Sequence, residues 1–329
     1  METSNLSVLN NQLNQYLVNA NDEIFMTDAV LSQGETRIMS AGDLSIITGQ
    51  PKSRKTFLVS AICAAFLSKE GYLGLHPCVN GSILLIDTEQ SKPYVIGVVR
   101  RIYRILNWDF NDMHHDELRV LTLRELPPNE RIQKLEIALQ TYNPKLVVID
   151  GFADLLQDTN SLEESTRRVS DLMRFSSVYN CHICSVVHTN PNSEKMRGHT
   201  GSELQRKGET VLLVTKSDEI TTVSPQFCRN LEFSKFSFRI DGSGLPVSCD
   251  YTPSPEDNNR ILFEAIFLVR SSYKFSDLRN EVMRRLNIKT TAAENRIKKA
   301  LQASIIVKDN NSVYSLFIEE EANESEDVN

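Results

Sequence analysis

Short apolar runs alternate with longer segments of helical spacing between residues 43 and 216. The runs hold few polar residues, which is typical of strands buried on both faces of a parallel sheet. We therefore predict strands at 43–48, 82–87, 118–123, 145–150, 182–188 and 209–216, and helices at 55–71, 92–106, 129–141 and 161–179. Strands that alternate with helices in this way indicate an α/β fold with a mostly parallel central sheet.

The regions on either side of this pattern differ from it. Residues 1–39 predict peripheral helices or loops. Residues 228–241 predict a terminal hairpin, which would complete a domain that spans residues 40–245. Three prolines fall within residues 246–257, and these residues are therefore interpreted as a linker.

Residues 258–318 predict a small separate domain of three helices and a hairpin. Ser276 is expected to cap the second helix, and Thr290 to begin the third. This order resembles a winged helix, whose third helix could enter a DNA major groove and present Asn295, Lys298 and Lys299. The alternative is a protein–protein module with a solvated basic face.

The net charge of −7 hides an uneven distribution. Residues 258–318 carry eleven Lys and Arg against five Asp and Glu, a net charge of +6. Residues 319–329 carry six acidic residues and no basic one, and this acidic tail is predicted to be disordered. The tail thus masks a basic domain that is suited to DNA.

No signal for export or membrane insertion is visible in the sequence. The N-terminus lacks the basic start and apolar stretch of a secretory signal, so we expect a cytoplasmic protein. Cys181 and Cys184 form a C-x-x-C pair on a predicted strand. Three-residue spacing on a strand directs the two side chains to opposite faces, which favours core cysteines over a zinc or redox site.

The stretch "TGQPKSRKTF" (48–57) matches the phosphate-binding pattern G-x-x-x-x-G-K-[ST] at all but one position. Lys55 would reach the β- and γ-phosphates, and Thr56 would coordinate Mg²⁺ through its hydroxyl. Arg54 replaces the second glycine; it retains the main-chain N–H, but a positive φ there would be strained. The predicted nucleotide-binding residues are Gly49, Gln50, Pro51, Lys52, Ser53, Arg54, Lys55 and Thr56.

Acidic residues follow two further predicted strands. Asp150 ends one strand, where a Walker B carboxylate would hold Mg²⁺ together with Thr56, and Asp87 and Glu89 follow another. The carboxyl ends of parallel strands share one edge of the sheet, which is the usual ligand-binding edge. Glu89 could deprotonate the attacking water. The alternatives are a helix cap for Asp87 and a solvated loop acid for Glu89.

With these residues the chain resembles the RecA-like P-loop ATPases, in particular the RepA-type hexameric helicase branch of plasmid and mobile-element proteins. The likeness covers roughly residues 40–245. It implies ATP and Mg²⁺ as cofactors, Glu89 as catalytic base and His188 as a sensor of the γ-phosphate. It also implies a homo-oligomeric ring such as a hexamer, in which Arg229 would reach the site of the neighbouring subunit. A surface ion pair is the alternative for Arg229.

The resemblance further implies that the segment "PNSEKMRGHTGSELQRKG" (191–208) faces DNA in the centre of the ring. Its basic residues are Lys195, Arg197, Arg206 and Lys207, for which a plain solvated loop is the alternative. The leading hypothesis is a DNA-associated ATPase, helicase-like or loader-like, in replication or mobilisation of a mobile element. The second hypothesis is a nucleotide-switched DNA-binding regulator with little or no hydrolysis. A metabolite kinase is disfavoured because no acceptor site is visible.

Overall fold

The computed structural model describes residues 17–21, 27–190, 193–250 and 255–317. The chain divides into two compact units at residue 250. The predicted acidic tail lies outside the described residues, as do residues 1–16 and 22–26 of the predicted peripheral segment. None of the described helices is long and apolar enough to cross a membrane.

The first unit contains a nine-stranded sheet and a smaller three-stranded one. Its strands are β1 (Ala29–Gln33), β2 (Thr36–Ser40), β3 (Leu44–Gly49), β4 (His76–Pro77), β5 (Ile83–Asp87), β6 (Leu118–Thr122), β7 (Leu146–Asp150), β8 (His182–His188), β9 (Thr210–Ser217), β10 (Ile220–Cys228), β11 (Phe236–Ile240) and β12 (Pro246–Cys249). Its helices are α1 (Lys55–Leu67), α2 (Lys92–Leu106), α3 (Pro128–Tyr142), α4 (Leu162–Val178) and α5 (Gly198–Lys207).

The large sheet has the strand order β12-β11-β10-β9-β3-β8-β7-β5-β6. Strands β9, β3, β8, β7, β5 and β6 run parallel, and they are the six that the apolar runs predicted. Strands β10, β11 and β12 pair antiparallel at one side. The mixed α/β class with a mostly parallel sheet is therefore confirmed. The six parallel strands end at a common edge, which is called the carboxyl edge below.

Helices cover both faces of this sheet. Ile47 packs with α1 and α2 on one face, whereas Ile46 packs with α3, α4 and α5 on the other. Cys184 and Cys181 are buried in these two opposite cores, as the strand spacing predicted. Among the described residues no group of three or more His, Cys, Asp and Glu could hold a metal ion.

Three segments differ from their predicted structure. Residues 228–241 were predicted to form a hairpin, but they contain only β11 and the last residue of β10, and β11 pairs with the earlier part of β10. Residues 29–40 were expected to form helices or loops, but β1 and β2 form an antiparallel hairpin there; each strand is only five residues long, which gives a weak periodic signal. The predicted linker contains β12, which pairs with β11. Pro246 opens this strand, and a proline is tolerated at the first residue of an edge strand because no ladder hydrogen bond is lost.

The second unit contains a helical layer against a three-stranded sheet of order β13-β15-β14. Its elements are α6 (Pro255–Phe267), β13 (Ser272–Lys274), α7 (Phe275–Leu286), α8 (Thr290–Gln302), β14 (Ile306–Lys308) and β15 (Val313–Leu316). Phe263, Leu278 and Ile297 meet in its core. Thr290 begins α8 as predicted, but Ser276 is not the cap of α7, because the helix already begins at Phe275 and Lys274 occupies the cap position.

His182, the first residue of β8, is fully buried. Its Nδ1 lies 2.8 Å from the Ser40 carbonyl oxygen and its Nε2 lies 2.8 Å from the Ser45 Oγ. A neutral ring satisfies both contacts by donating from Nδ1 and accepting at Nε2. Burial lowers the pKa of His182 from 6.5 to about 4, so the folded protein resists protonation that the unfolded chain accepts.

We expect His182 to make the fold sensitive to mild acid. The contribution of neutral His182 to the free energy of unfolding is complete above the pKa of the unfolded chain and is lost as the pH falls toward the lowered folded pKa. This loss amounts to about 2 kcal/mol between pH 7 and pH 5. Urea unfolding at the two pH values measures this. The loss should shrink by that amount in His182→Asn and stay unchanged in His115→Asn, which alters an exposed histidine. Equal losses in both variants would contradict the assignment.

Candidate functional site

The loop between β3 and α1 lies at the carboxyl edge and begins at Gly49. A Cβ atom at this position would lie 2.3 Å from the Val214 carbonyl oxygen and 2.8 Å from the Ser53 Oγ. Only glycine lets the loop turn this close to β9. The loop then leads into the first turn of α1. The N–H groups at the start of a helix lack partners from a preceding turn, and they favour an anion.

Arg54 immediately precedes α1 in the left-handed conformation, with φ 72°. This is the backbone conformation that glycine adopts without cost, which explains the glycine in the usual pattern. The guanidinium donates to the Glu219 carbonyl oxygen at 2.6 Å and to the Thr221 Oγ1 at 3.2 Å. Arg54 is therefore strained in its backbone and fastened by its side chain to the β9–β10 hairpin.

Lys55 is buried, and its ammonium is bound by the loop itself. Nζ donates to the Gly49 carbonyl oxygen at 2.9 Å and to the Gln50 carbonyl oxygen at 2.8 Å. Burial lowers the pKa of Lys55 to about 8, against the opposing effect of Asp150 and Glu89. The cation is thus held inside the loop that would surround a polyphosphate.

Asp150 ends β7, and Thr56 lies in the first turn of α1. The Thr56 hydroxyl donates to Asp150 Oδ2 at 3.1 Å. Burial raises the pKa of Asp150 to about 6, and the neighbouring Asp87 acts in the same direction. Gly151 follows with φ 107°, and a Cβ there would lie 2.4 Å from the Thr88 Oγ1. Glycine is needed here because the ends of β5 and β7 approach so closely.

Hydroxyl and carboxylate oxygens are hard donors that suit Mg²⁺, which commonly takes one or two protein oxygens and completes its shell with phosphates and water. Thr56 and Asp150 therefore fit the predicted metal pair. The two residues come together because the start of α1 and the end of β7 lie side by side at the carboxyl edge.

Asp87 and Glu89 follow β5 but have different surroundings. Asp87 accepts the main-chain N–H groups of Glu89 and Gln90 at 3.1 and 2.7 Å, as well as the Gln90 side-chain amide. It therefore shapes the turn after β5 and does not cap α2, whose cap position is Ser91. Glu89 is half exposed, and its Oε2 lies 3.7 Å from the Nε2 of His188. The contact with His188 is the main cause of the lowered pKa of Glu89, which keeps the carboxylate ionised.

One cavity of about 500 Å³ lies among the polar residues of the carboxyl edge. It is lined by Lys55, Thr56, Glu89, Asp150 and His188, all of which the sequence pointed to. The sequence did not point to two further lining residues, Phe57 and Arg101, whose guanidinium carbon lies 3.8 Å from the centroid of the Phe57 ring. A basic residue among apolar ones on α2 was the available signal, but helical spacing alone does not say which face meets a cavity.

Comparison with known proteins agrees with this geometry. A family model described as an AAA domain matches residues 30–194, which are 165 of the 329 residues. The chain belongs to this AAA family. Its AAA domain is of the P-loop ATPase type, and the match includes the phosphate-binding loop, Glu89, Asp150 and His188. No curated protein matches the chain.

The predicted basic residues of the AAA-containing unit do not lie together. Residues 198–207 form α5 rather than a loop, a helix about 15 Å long at 1.5 Å per residue. Lys195 and Arg197 precede it near the carboxyl edge, whereas Arg206 and Lys207 lie at its other end. Arg206 is paired with Glu203 at 2.7 Å. The segment is therefore not a single loop, and the contact of its basic residues with DNA stays a prediction.

Arg229 lies at the opposite edge of the sheet from Gly49. Its guanidinium contacts Asp43 Oδ1 at 3.0 Å and donates to the Lys207 carbonyl oxygen at 3.1 Å. It therefore takes no part in the site of its own chain.

In the second unit, Asn295, Lys298 and Lys299 are exposed on α8, while Ala293, Ile297 and Ala300 face the core.

We expect the backbone of Arg54 to limit stability more than its side-chain contacts do. Arg54→Gly should stay within about 1 kcal/mol of the wild-type free energy of unfolding, because relief of the left-handed strain offsets the missing hydrogen bonds. Arg54→Val should lose about 2 kcal/mol, since a β-branched residue is poorly tolerated there. Urea unfolding measures both. The control is Glu219→Ala, which keeps the carbonyl acceptor and leaves the backbone of Arg54 as it is. Equal losses of stability in Arg54→Gly and Arg54→Val would refute the strain.

Proposed function

We propose that this protein is a DNA-associated ATPase that cleaves the γ-phosphate of ATP at the carboxyl edge of its sheet. The observation that carries the proposal is the convergence of Lys55, Thr56, Asp150, Glu89 and His188 on one cavity. A cation, a pair of oxygen donors and an ionised carboxylate are the groups that phosphoryl transfer to water requires.

Each of these residues has a distinct task in the proposed reaction. Lys55 exchanges its carbonyl partners for phosphate oxygens and neutralises their charge. Thr56 and Asp150 hold Mg²⁺, which supplies charge neutralisation and orientation of the phosphates when bound. Glu89 accepts a proton from the attacking water. His188, whose Nε2 faces Glu89, holds that carboxylate in place and is the proposed sensor of the γ-phosphate.

The proposed oligomer follows from the openness of this site. Glu89 and His188 are partly exposed, with 57% and 38% of their side chains accessible. A second copy of the chain could close the cavity and contribute an arginine, for which Arg229 remains the proposed residue. We propose a ring, as in the RepA-type helicases that the sequence resembles.

The proposed link to DNA rests on the second unit. Its helices and hairpin follow in the order of a winged helix, and the exposed face of α8 carries Asn295, Lys298 and Lys299. Lysines on such a face would contact phosphates, while an asparagine can pair with a base edge. A basic domain joined to an ATPase suits a helicase-like motor or loader of a mobile element.

A second function has support in one observation. Arg54 occupies a strained left-handed position in the phosphate loop and is bound to the β9–β10 hairpin. If this contact holds the loop away from the geometry of catalysis, the protein would bind nucleotide as a switch with little hydrolysis. Hydrolysis by wild type and by Arg54→Gly distinguishes the two functions.

We expect Lys55→Ala to abolish ATP hydrolysis and Glu89→Gln to lower kcat by about 10²- to 10⁴-fold while nucleotide binding persists, because only the proton acceptor is removed. Phosphate release and the binding of a fluorescent ATP analogue measure the two effects. Glu70→Gln, an exposed glutamate beyond the end of α1, is the matched control and should hydrolyse ATP normally. Undiminished hydrolysis in Lys55→Ala would remove the proposed site.

We expect DNA to bind the second unit mainly through charge. The double variant Lys298→Ala/Lys299→Ala should lower the slope of log K against log salt by about 2, because each lysine that is removed neutralises one phosphate. Fluorescence anisotropy with a labelled DNA duplex at several salt concentrations measures this. The control, Lys69→Ala/Lys134→Ala, removes the same charge from exposed positions of the first unit. Equal slopes in the two double variants would contradict the assignment of α8.

A further inference from the structure

Gln50, the second residue of the phosphate loop, connects that loop to a basic segment after β8. This segment, residues 193–197, is called the basic loop; Lys195 and Arg197 are exposed in it, while Met196 is buried. The Gln50 side-chain amide donates to the Asn190 carbonyl oxygen at 2.8 Å and to the Ser193 carbonyl oxygen at 3.0 Å. Both amide protons are thus directed at main-chain carbonyl groups, one before the basic loop and one at its first residue.

The main chain of Gln50 is joined to the catalytic lysine. Its carbonyl oxygen accepts the Lys55 ammonium at 2.8 Å. A phosphate oxygen is a stronger acceptor for an ammonium than a neutral carbonyl is, because the hydrogen bond is charge-assisted on both sides. A bound polyphosphate would therefore take this partner from Gln50. Gln50 thus contacts both the Lys55 ammonium, which would bind the phosphate, and the basic loop, which carries two exposed cations.

We propose that Gln50 is a positioning residue that transmits occupancy of the phosphate loop to the basic loop. When Lys55 turns to phosphate, the Gln50 peptide loses its ammonium partner and rotates, and its side chain releases the carbonyl groups of Asn190 and Ser193. Lys195 and Arg197 then become free to move. This inference rests on the proposed ATPase function, because it requires that a polyphosphate occupies the loop.

The space around Gln50 permits such a movement. A cavity of about 480 Å³ lies between the phosphate loop, β9 and the basic loop, and Gln50, Ser193 and Glu194 line it. A second glutamine, Gln226 on β10, also holds the basic loop, by donating to the Glu194 carbonyl oxygen at 3.1 Å. Gln226 has no part in the phosphate loop. The two glutamines therefore make the same kind of contact, but only one of them can respond to the ligand.

Hydrogen exchange of the full-length protein tests this difference. Peptides that cover residues 193–200 report on the Arg197 N–H, which donates to the His188 carbonyl oxygen at 3.0 Å. We expect a non-hydrolysable ATP analogue with Mg²⁺ to accelerate exchange there about three- to tenfold, the change that the loss of one net hydrogen bond produces. In Gln50→Met, which keeps the size of the side chain without its donors, exchange should be fast with and without the analogue.

Gln226→Met is the matched control. It should raise the basal rate but still respond to the analogue, because its contact is independent of Lys55. A wild-type protein that binds the analogue without a change in exchange would overturn the inference. So would a Gln50→Met variant that responds like wild type, or a Gln226→Met variant that loses the response. Failure of the wild type to bind the analogue, measured by fluorescence, would instead overturn the proposed ATPase function itself.

Discussion

The parallel register of the central strands is the constraint on which the site depends. Gly49 pairs with His188 across β3 and β8, and Asp87 pairs with Asp150 across β5 and β7. Adjacent strands lie about 4.8 Å apart, so chemically different side chains from distant parts of the sequence form one row. The same closeness sets two carboxylates side by side, which contributes to the raised pKa of Asp150. A shift of one residue in either pairing would separate the phosphate loop from its acidic partners.

The sequence predicted the six parallel strands and the central residues of the site because both depend on local patterns. A buried parallel strand is a continuous apolar run, and the residue that ends it lies at the ligand-binding edge whatever its neighbours are. Lys55, Asp150 and Glu89 could therefore be named without knowledge of strand order, whereas His188 was named through the resemblance to RecA-like ATPases. Strands β1, β2, β4, β12 and β13 were missed because short strands at the margin of a fold obtain their stability from pairing, which a single segment does not show. The longer strand β10 was missed as well, because the predicted hairpin began only at residue 228.

Contacts between loops were also beyond the sequence. The sequence around these residues does not show that the Gln50 side chain holds the basic loop or that the Arg54 side chain holds the β9–β10 hairpin. The family match ends at residue 194, whereas the large sheet continues through β9 to β12. The Arg54 side of the phosphate loop in this AAA protein is thus held by a part of the chain that lies beyond the matched region, whereas the Gln50 contacts lie within it. Side-chain contacts of this kind become visible only when both partners have been placed.

The way Lys55 is bound has a consequence for ligand choice. Its ammonium already has two good acceptors, the carbonyl oxygens of Gly49 and Gln50. An incoming anion gains affinity only to the extent that its oxygens bind the ammonium more strongly than these two carbonyl oxygens do. A nucleoside monophosphate offers a single phosphate group for that exchange, whereas a triphosphate can surround the ammonium from several directions. The two carbonyl oxygens therefore compete with any anion for the Lys55 ammonium, which disfavours anions that have few phosphate oxygens.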